Sequence, residues 1–167
     1  MKIVQIKQIR NISKSKVEVF FITHWGSPEM VISSGIYDCS SLDGFVVQNQ
    51  KEEIIGMITY VIRGAECEII SLDSLEEGKG VGSSLIRAVE EAVALIGCTS
   101  VKLVTTNDNL SALRFYQKRG YHLSHLYKNA VEKARKIKSE IPLVSEDGIP
   151  IRDEIELQKI LFGKAEI

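Results

Sequence analysis

The chain has 167 residues, enough for one domain with a buried core, and its hydrophobic fraction of 44% argues against disorder. A formal net charge of −1 offers no global field to nucleic acid or an anionic membrane, so neither is expected as a partner. Cys39, Cys67 and Cys98 are odd in number and scattered, which suits neither a disulfide framework nor a zinc site; reduced thiols and no metal are the expectation.

The N-terminus alternates polar and apolar residues, which suits a strand over 2–9 and not a signal peptide. No apolar run reaches the ~18 residues of a membrane span. A soluble, cytoplasmic protein is expected. Residues 13–24 place Val17, Phe20, Phe21 and His24 at helical spacing, and Gly26-Ser27-Pro28 stops the pattern. Phe45-Val46-Val47 and the run Ile54 to Ile62, separated by polar residues 49–53, read as a β-hairpin. Arg63-Gly64 is a second turn, and Cys67 to Leu72 is a third strand. A glycine-rich loop follows, then a helix with Leu85, Ile86, Val89, Val93 and Ile96 on one face, ended by Gly97. Residues 101–104 read as a short strand. Ser111 is placed to cap a helix carrying Leu113 and Tyr116 and closed by Gly120, and Tyr121 to Tyr127 returns as a strand. A basic amphipathic helix over 128–138 has Val131, Ala134 and Ile137 inward, and a last strand lies near 151–157. Hairpin strands followed by strands joined through helices imply a mixed α/β sheet.

Glu77-Gly78-Lys79-Gly80-Val81-Gly82-Ser83-Ser84 sits between a strand and a helix. Glycines there let the backbone approach a ligand, while the helix start offers unpaired N–H groups and a positive dipole end. That combination suits phosphate or pyrophosphate, although three glycines also permit a simple tight bend. A Walker A loop is excluded because Gly80 follows Lys79, and a dinucleotide fingerprint because Ser83 stands where its third glycine belongs.

Glu77 to Gly82 resembles the pattern Gln/Arg-x-x-Gly-x-Gly/Ala of the GNAT superfamily, except at its first position. Asn109-Leu110-Ser111-Ala112-Leu113-Arg114-Phe115-Tyr116-Gln117-Lys118-Arg119-Gly120-Tyr121 resembles that family's Asn-x-x-Ala-x-x-x-Tyr-x-x-x-Gly-Phe segment. Two motifs in order, one helix and one strand apart, carry the resemblance. It covers residues 1–127, while 148–157 resembles the tail of a bacterial GNAT subgroup. It implies an α/β (mixed α+β) fold: a mostly antiparallel central sheet flanked by helices and splayed at the cofactor site. Residues 1–167 are then a single acetyltransferase domain, to which 128–167 add a subgroup-specific helix and C-terminal strand. Two departures stand out. Glu77 puts an acid where Gln or Arg is usual, and Ser74 replaces a common proline.

The resemblance also implies chemistry: direct transfer of an acetyl group from acetyl-CoA to a primary amine of a small molecule, amino acid or peptide. Leu72, Asp73 and Ser74 then hold the pantetheine arm and polarise the thioester, with Asn109 and Ala112 beside it. Gly78, Lys79, Gly80, Val81, Gly82 and Ser83 hold the pyrophosphate. Tyr116 protonates the departing thiolate, its alternative being an aromatic packing residue. Glu66 and Glu68, two apart on one strand face, are candidate general bases, or else solvated strand carboxylates. Trp25 and Tyr60 are candidate acceptor contacts, and His24 reads as a core histidine. The basic residues of 128–138 suit an anionic acceptor, whereas Asp153, Glu154 and Glu156 suit a cationic amine. A homodimer is left open. The competing class is an acyl-CoA-binding regulator without turnover.

Overall fold

The computed structural model describes residues 5–76 and 78–161. The strand expected at the N-terminus is β1, Gln5–Gln8, with residues 2–4 outside the described range. Helix α1 spans Lys14–Trp25. Ser13 caps it by accepting the N–H of Lys16, and Gly26 ends it in the left-handed conformation. A hairpin that the sequence had not suggested follows, β2 (Glu29–Ile32) and β3 (Gly35–Asp38). Strands β4 (Asp43–Gln48), β5 (Ile54–Arg63) and β6 (Glu66–Ser74) form the expected antiparallel run. After α2 (Val81–Leu95) come β7 (Ser100–Thr106), α3 (Leu110–Gln117), β8 (His122–Tyr127), α4 (Ala130–Ile137) and β9 (Glu154–Ile160).

Among the described residues the main sheet runs β1-β4-β5-β6-β7-β9-β8, antiparallel throughout except for the β6–β7 pair. β9 thus inserts between β7 and β8 instead of adding at an edge. Side chains alternate across the sheet into two cores. Val47, Ile58 and Val101 pack beneath Leu85, Val89 and Val93 of α2. Val46 and Met57 pack on the other face against Phe20 and Phe21 of α1.

Two local expectations are corrected. Ile96 is 69% exposed, because α2 ends at Leu95 before its turn comes round to the sheet. Ile137, at the end of α4, is 59% exposed, while Val131 and Ala134 are buried as expected.

Two irregularities of β6 position everything that follows. Opposite Thr59 and Tyr60 the register slips, with Thr59 facing Ser71 and Tyr60 facing Ile69, so β6 carries an extra residue. Before this bulge Cys67 and Ile69 face the α2 core, while Glu68 reaches the β2–β3 hairpin on the opposite face. After it, Asp73 reaches α1 on that same hairpin face. The second irregularity is a divergence. The parallel β6–β7 pairing stops at Ile69 and Leu103, although β6 continues to Ser74 and β7 to Thr106. The two strands open like a wedge.

Candidate functional site

The wedge opens beside the start of α2. Gly78 and Gly80 both take φ +74°, and an added Cβ at either would meet nothing within 4 Å. These glycines are therefore required by the left-handed backbone and leave their concave side open. Gly82 has a different reason: a Cβ there would stand 3.1 Å from the Phe115 ring, so its absence lets α3 seat on α2. Among the described residues no side chain caps the start of α2, and its first internal bond is from Ser84 N–H to the Gly80 carbonyl. The N–H groups of Val81, Gly82 and Ser83 precede that bond and point out of the helix start, an arrangement suited to an anion.

A cleft of about 470 Å³ lies over this loop, walled by Leu72 and Ser74 of β6, the loop itself, and Asn109, Ala112, Phe115 and Tyr116 of α3. Arg119 is a lining residue whose role the sequence had not suggested. Its guanidinium donates to Ser83 Oγ at 2.9 and 2.6 Å and to the Phe115 carbonyl at 2.8 Å, and lies 3.6 Å from the Phe115 ring centre. It brings a fixed positive charge to the first turn of α2. The signal available was its place three residues after Tyr116, in the turn that closes α3, where its N–H donates to the Tyr116 carbonyl. Lys79 is exposed, and Glu77 lies outside the described residues.

A second cleft, about 390 Å³, occupies the wedge itself and shares Leu72, Asn109, Ala112 and Tyr116 with the first. The two are one groove bent around Tyr116. That tyrosine is buried, and desolvation, followed by the negative charge of Asp73, pushes its phenol above the ordinary value. It holds a proton across the physiological range. Asn109, and not Ser111, caps α3: its Oδ1 accepts from Ala112 N–H and from the Ser111 hydroxyl.

At the far end of the groove the indole of Trp25 donates to Asp73 Oδ1 at 2.8 Å. The other oxygen, Oδ2, is buried and has no partner among the described residues. Burial pushes the Asp73 carboxyl up to about 6, against the Trp25 hydrogen bond and His24, which pull it down. Glu154 of β9 lines the same end. Its carboxylate accepts the Ser33 N–H at 2.9 Å, and burial raises its pKa.

The other sequence candidates lie elsewhere. Glu68 is buried and held by Arg63 at 2.7 Å and Ser34 at 3.0 Å, and Glu66 pairs with Lys102 at 3.1 Å. Both groove walls leave them out. Tyr60 stacks on Phe45 over a separate cavity between α2 and β4–β5. His24 is exposed and not in the core, its ring 4.7 Å from Phe20. Asp153 is held by Arg152 and by Asn129 N–H, and Glu156 by Tyr127, Ser124 and Lys102. In α4, Arg135 caps the carbonyls of Ile141, Pro142 and Ile151, which accounts for one of its basic residues. Among the described residues no three acidic, histidine or cysteine side chains converge as metal ligands, and no helix is long and apolar enough to cross a membrane.

Comparison with known proteins follows the same lines. A sequence model of the Acetyltransferase (GNAT) family matches residues 9–121. YdhI of Bacillus subtilis (strain 168), itself named an uncharacterized protein, is 55% identical over 150 residues, 90% of this chain and 94% of its own. A solved Bacillus subtilis acetyltransferase in complex with CoA superposes with a TM-score of 0.67 at 16% identity, over 96% of this chain and all of its own. A GNAT family acetyltransferase from Elizabethkingia anophelis with acetyl-CoA bound gives 0.63 at 22% identity, over 72% of this chain and 77% of its own. At these identities the two structures speak to the fold, which is the mixed, mostly antiparallel, splayed sheet anticipated above.

Proposed function

The chain belongs to the acetyltransferase (GNAT) family, and from that membership and the groove we propose that it moves the acetyl group of acetyl-CoA directly to a primary amine of a small molecule, amino acid or peptide. The observation that carries this reading is the continuity of the groove, from the glycine loop past Tyr116 into the wedge. The residues present fit such a co-substrate. Free amides at the start of α2 suit the pyrophosphate, and Arg119 adds the cation that Glu77 does not supply. Beyond Ile69 the edge of β6 that faces β7 has no strand partner among the described residues, which leaves the backbone of Leu72 to Ser74 available to an extended amide-bearing arm.

The co-substrate supplies an activated thioester; the chain supplies orientation and proton transfer. Tyr116, at the bend of the groove and fully protonated, is suited to give its proton to the departing thiolate. Structures of this fold with acetyl-CoA or CoA bound support acetyl-CoA as the co-substrate.

Isothermal titration with acetyl-CoA, followed by thiol release across a panel of amines, tests the reading. Micromolar binding with release for some amine is the expected result. Binding without release for any amine would turn the reading toward an acyl-CoA-binding regulator, and no binding would overturn it.

A further inference from the structure

The acidic residues around the wedge divide into two kinds. Glu66, Glu68, Asp153 and Glu156 each sit against a lysine or arginine. Asp73 and Glu154 do not: among the described residues their hydrogen bonds come from Trp25 and Ser33 respectively, and no lysine or arginine lines the wedge end of the groove. Glu154 is only 2% exposed, and Asp73 Oδ2 is sealed without a partner among the described residues. Burying a carboxylate without a cation is costly, and proteins keep such an arrangement where a ligand brings the missing charge. Trp25, Met30, Ile32 and Leu103 give this end of the groove apolar wall, alongside the polar Ser71, Thr105 and Thr106. That is the pattern for a short hydrocarbon with a charge at each end.

We propose that this end of the groove is the acceptor subsite and that it takes a primary amine carrying a second positive charge, Asp73 receiving the proton of the reacting ammonium and Glu154 holding the distal charge. The assignment rests on the groove being the acetyl-CoA site. The proton balance closes. One ammonium proton passes to the Asp73 carboxylate, and the neutral amine forms the C–N bond as the C–S bond breaks. Tyr116 protonates the sulfur and recovers a proton from the acetylated nitrogen, and Asp73 returns its proton to solvent. A monoamine would leave Glu154 uncompensated. An acceptor with a carboxylate beside its amine would face two like charges.

The titration of Asp73 fits this role. Its carboxyl lies near 6, so it is ionised at neutral pH yet basic enough to accept a proton. Of the titratable groups around it, His24 of α1 lowers its pKa, while its own charge raises those of Tyr116 of α3 and Cys39. Each lies outside hydrogen-bond contact with its carboxylate among the described residues, where Trp25 is the donor.

The test uses the full chain with acetyl-CoA and three probes of one length: 1,4-diaminobutane, butylamine and 4-aminobutanoate. The diamine is expected to exceed butylamine in kcat/KM at least tenfold, with 4-aminobutanoate slowest. Glu154→Gln, which keeps an oxygen for Ser33 N–H, is expected to bring the diamine-to-butylamine ratio to within about threefold, and Glu154→Asp to restore part of it. Equal use of the diamine and butylamine by the unmodified chain, a comparison independent of any variant's folding, would overturn the proposal, as would a ratio that survives Glu154→Gln. Titration with acetyl-CoA alone separates the two levels. Failure to bind it removes the underlying reading, whereas binding with equal turnover of both amines removes only the charge assignment.

Discussion

The indole N–H of Trp25 donates to Oδ1 of Asp73 across 48 positions of sequence and joins α1 to the far end of β6. This contact is the hydrogen bond that stabilises the ionised form of a carboxylate which burial disfavours. Trp25→Phe keeps the aromatic packing on Phe21 and removes the donor. The acidic limb of the pH profile of kcat/KM should then rise from near 6 by about one unit, the equivalent of one hydrogen bond to a charged group. A limb that stays in place would separate Trp25 from the titration.

The same carboxyl makes a stability prediction. Its pKa is raised from 3.8 to about 6 in the folded chain, so the native state binds this proton more tightly than the unfolded state. The stabilisation is full below pH 3.8 and is lost as pH rises through about 6, to the extent of roughly 3 kcal/mol. Asp73→Asn should flatten this segment of the stability curve and gain stability at pH 7 while losing turnover. Urea denaturation at pH 4.5 and pH 7 checks the difference.

Replacing Tyr116 by Phe keeps a ring among Phe115 and Tyr121 and removes the proton donor. Thiol release should fall by roughly 100-fold, with acetyl-CoA affinity little changed. Unaltered turnover would make Tyr116 a packing residue.

Arg119→Met keeps length and loses both the charge and the grip on Ser83. Acetyl-CoA affinity should drop by about tenfold or more, and less at high salt, where the charge is already screened. Calorimetric titration at two ionic strengths measures this. An equal loss at both would point to packing alone.

Glu68, which read as a candidate base, is predicted to be structural. Arg63→Met strands a buried carboxylate and should cost about 3 kcal/mol, whereas Glu68→Gln removes the buried charge and leaves a half-exposed arginine to water, at a smaller cost. Thermal melts of the two variants give the order, and the reverse order would refute the assignment.

What was legible in the sequence was what local patterns encode. The spacing of Val17, Phe20 and Phe21 gave α1, the glycines gave the helix start that faces the cleft, and the tyrosine motif placed Tyr116 at its wall. Asp73 read only as a contact to the cofactor, for a reason no pattern of twos can reveal. The extra residue in β6 lies between Glu68 and Asp73, so both reach the hairpin face, where an ideal strand would put them on opposite faces. The β2–β3 hairpin was missed because its strands are four residues long and half-exposed, with too little alternation to stand out. Glu154 was named among three acids, but only the pairing of β9 with β7 turned it, and neither neighbour, into the wedge.

The insertion of β9 between β7 and β8 has a consequence for biosynthesis. Residues 122–127 are made well before residues 154–160, yet among the described residues β8 pairs only with β9 in the sheet. Until that late strand emerges from the ribosome, β7 carries a bare edge and β8 waits without a neighbour. The glycine loop and α3 can be in place by then, while the side of the groove that holds Glu154 is still missing. A nascent chain at this stage would hold the glycine loop and Tyr116 but not Glu154, so the acceptor subsite proposed above would be completed only after the rest of the groove.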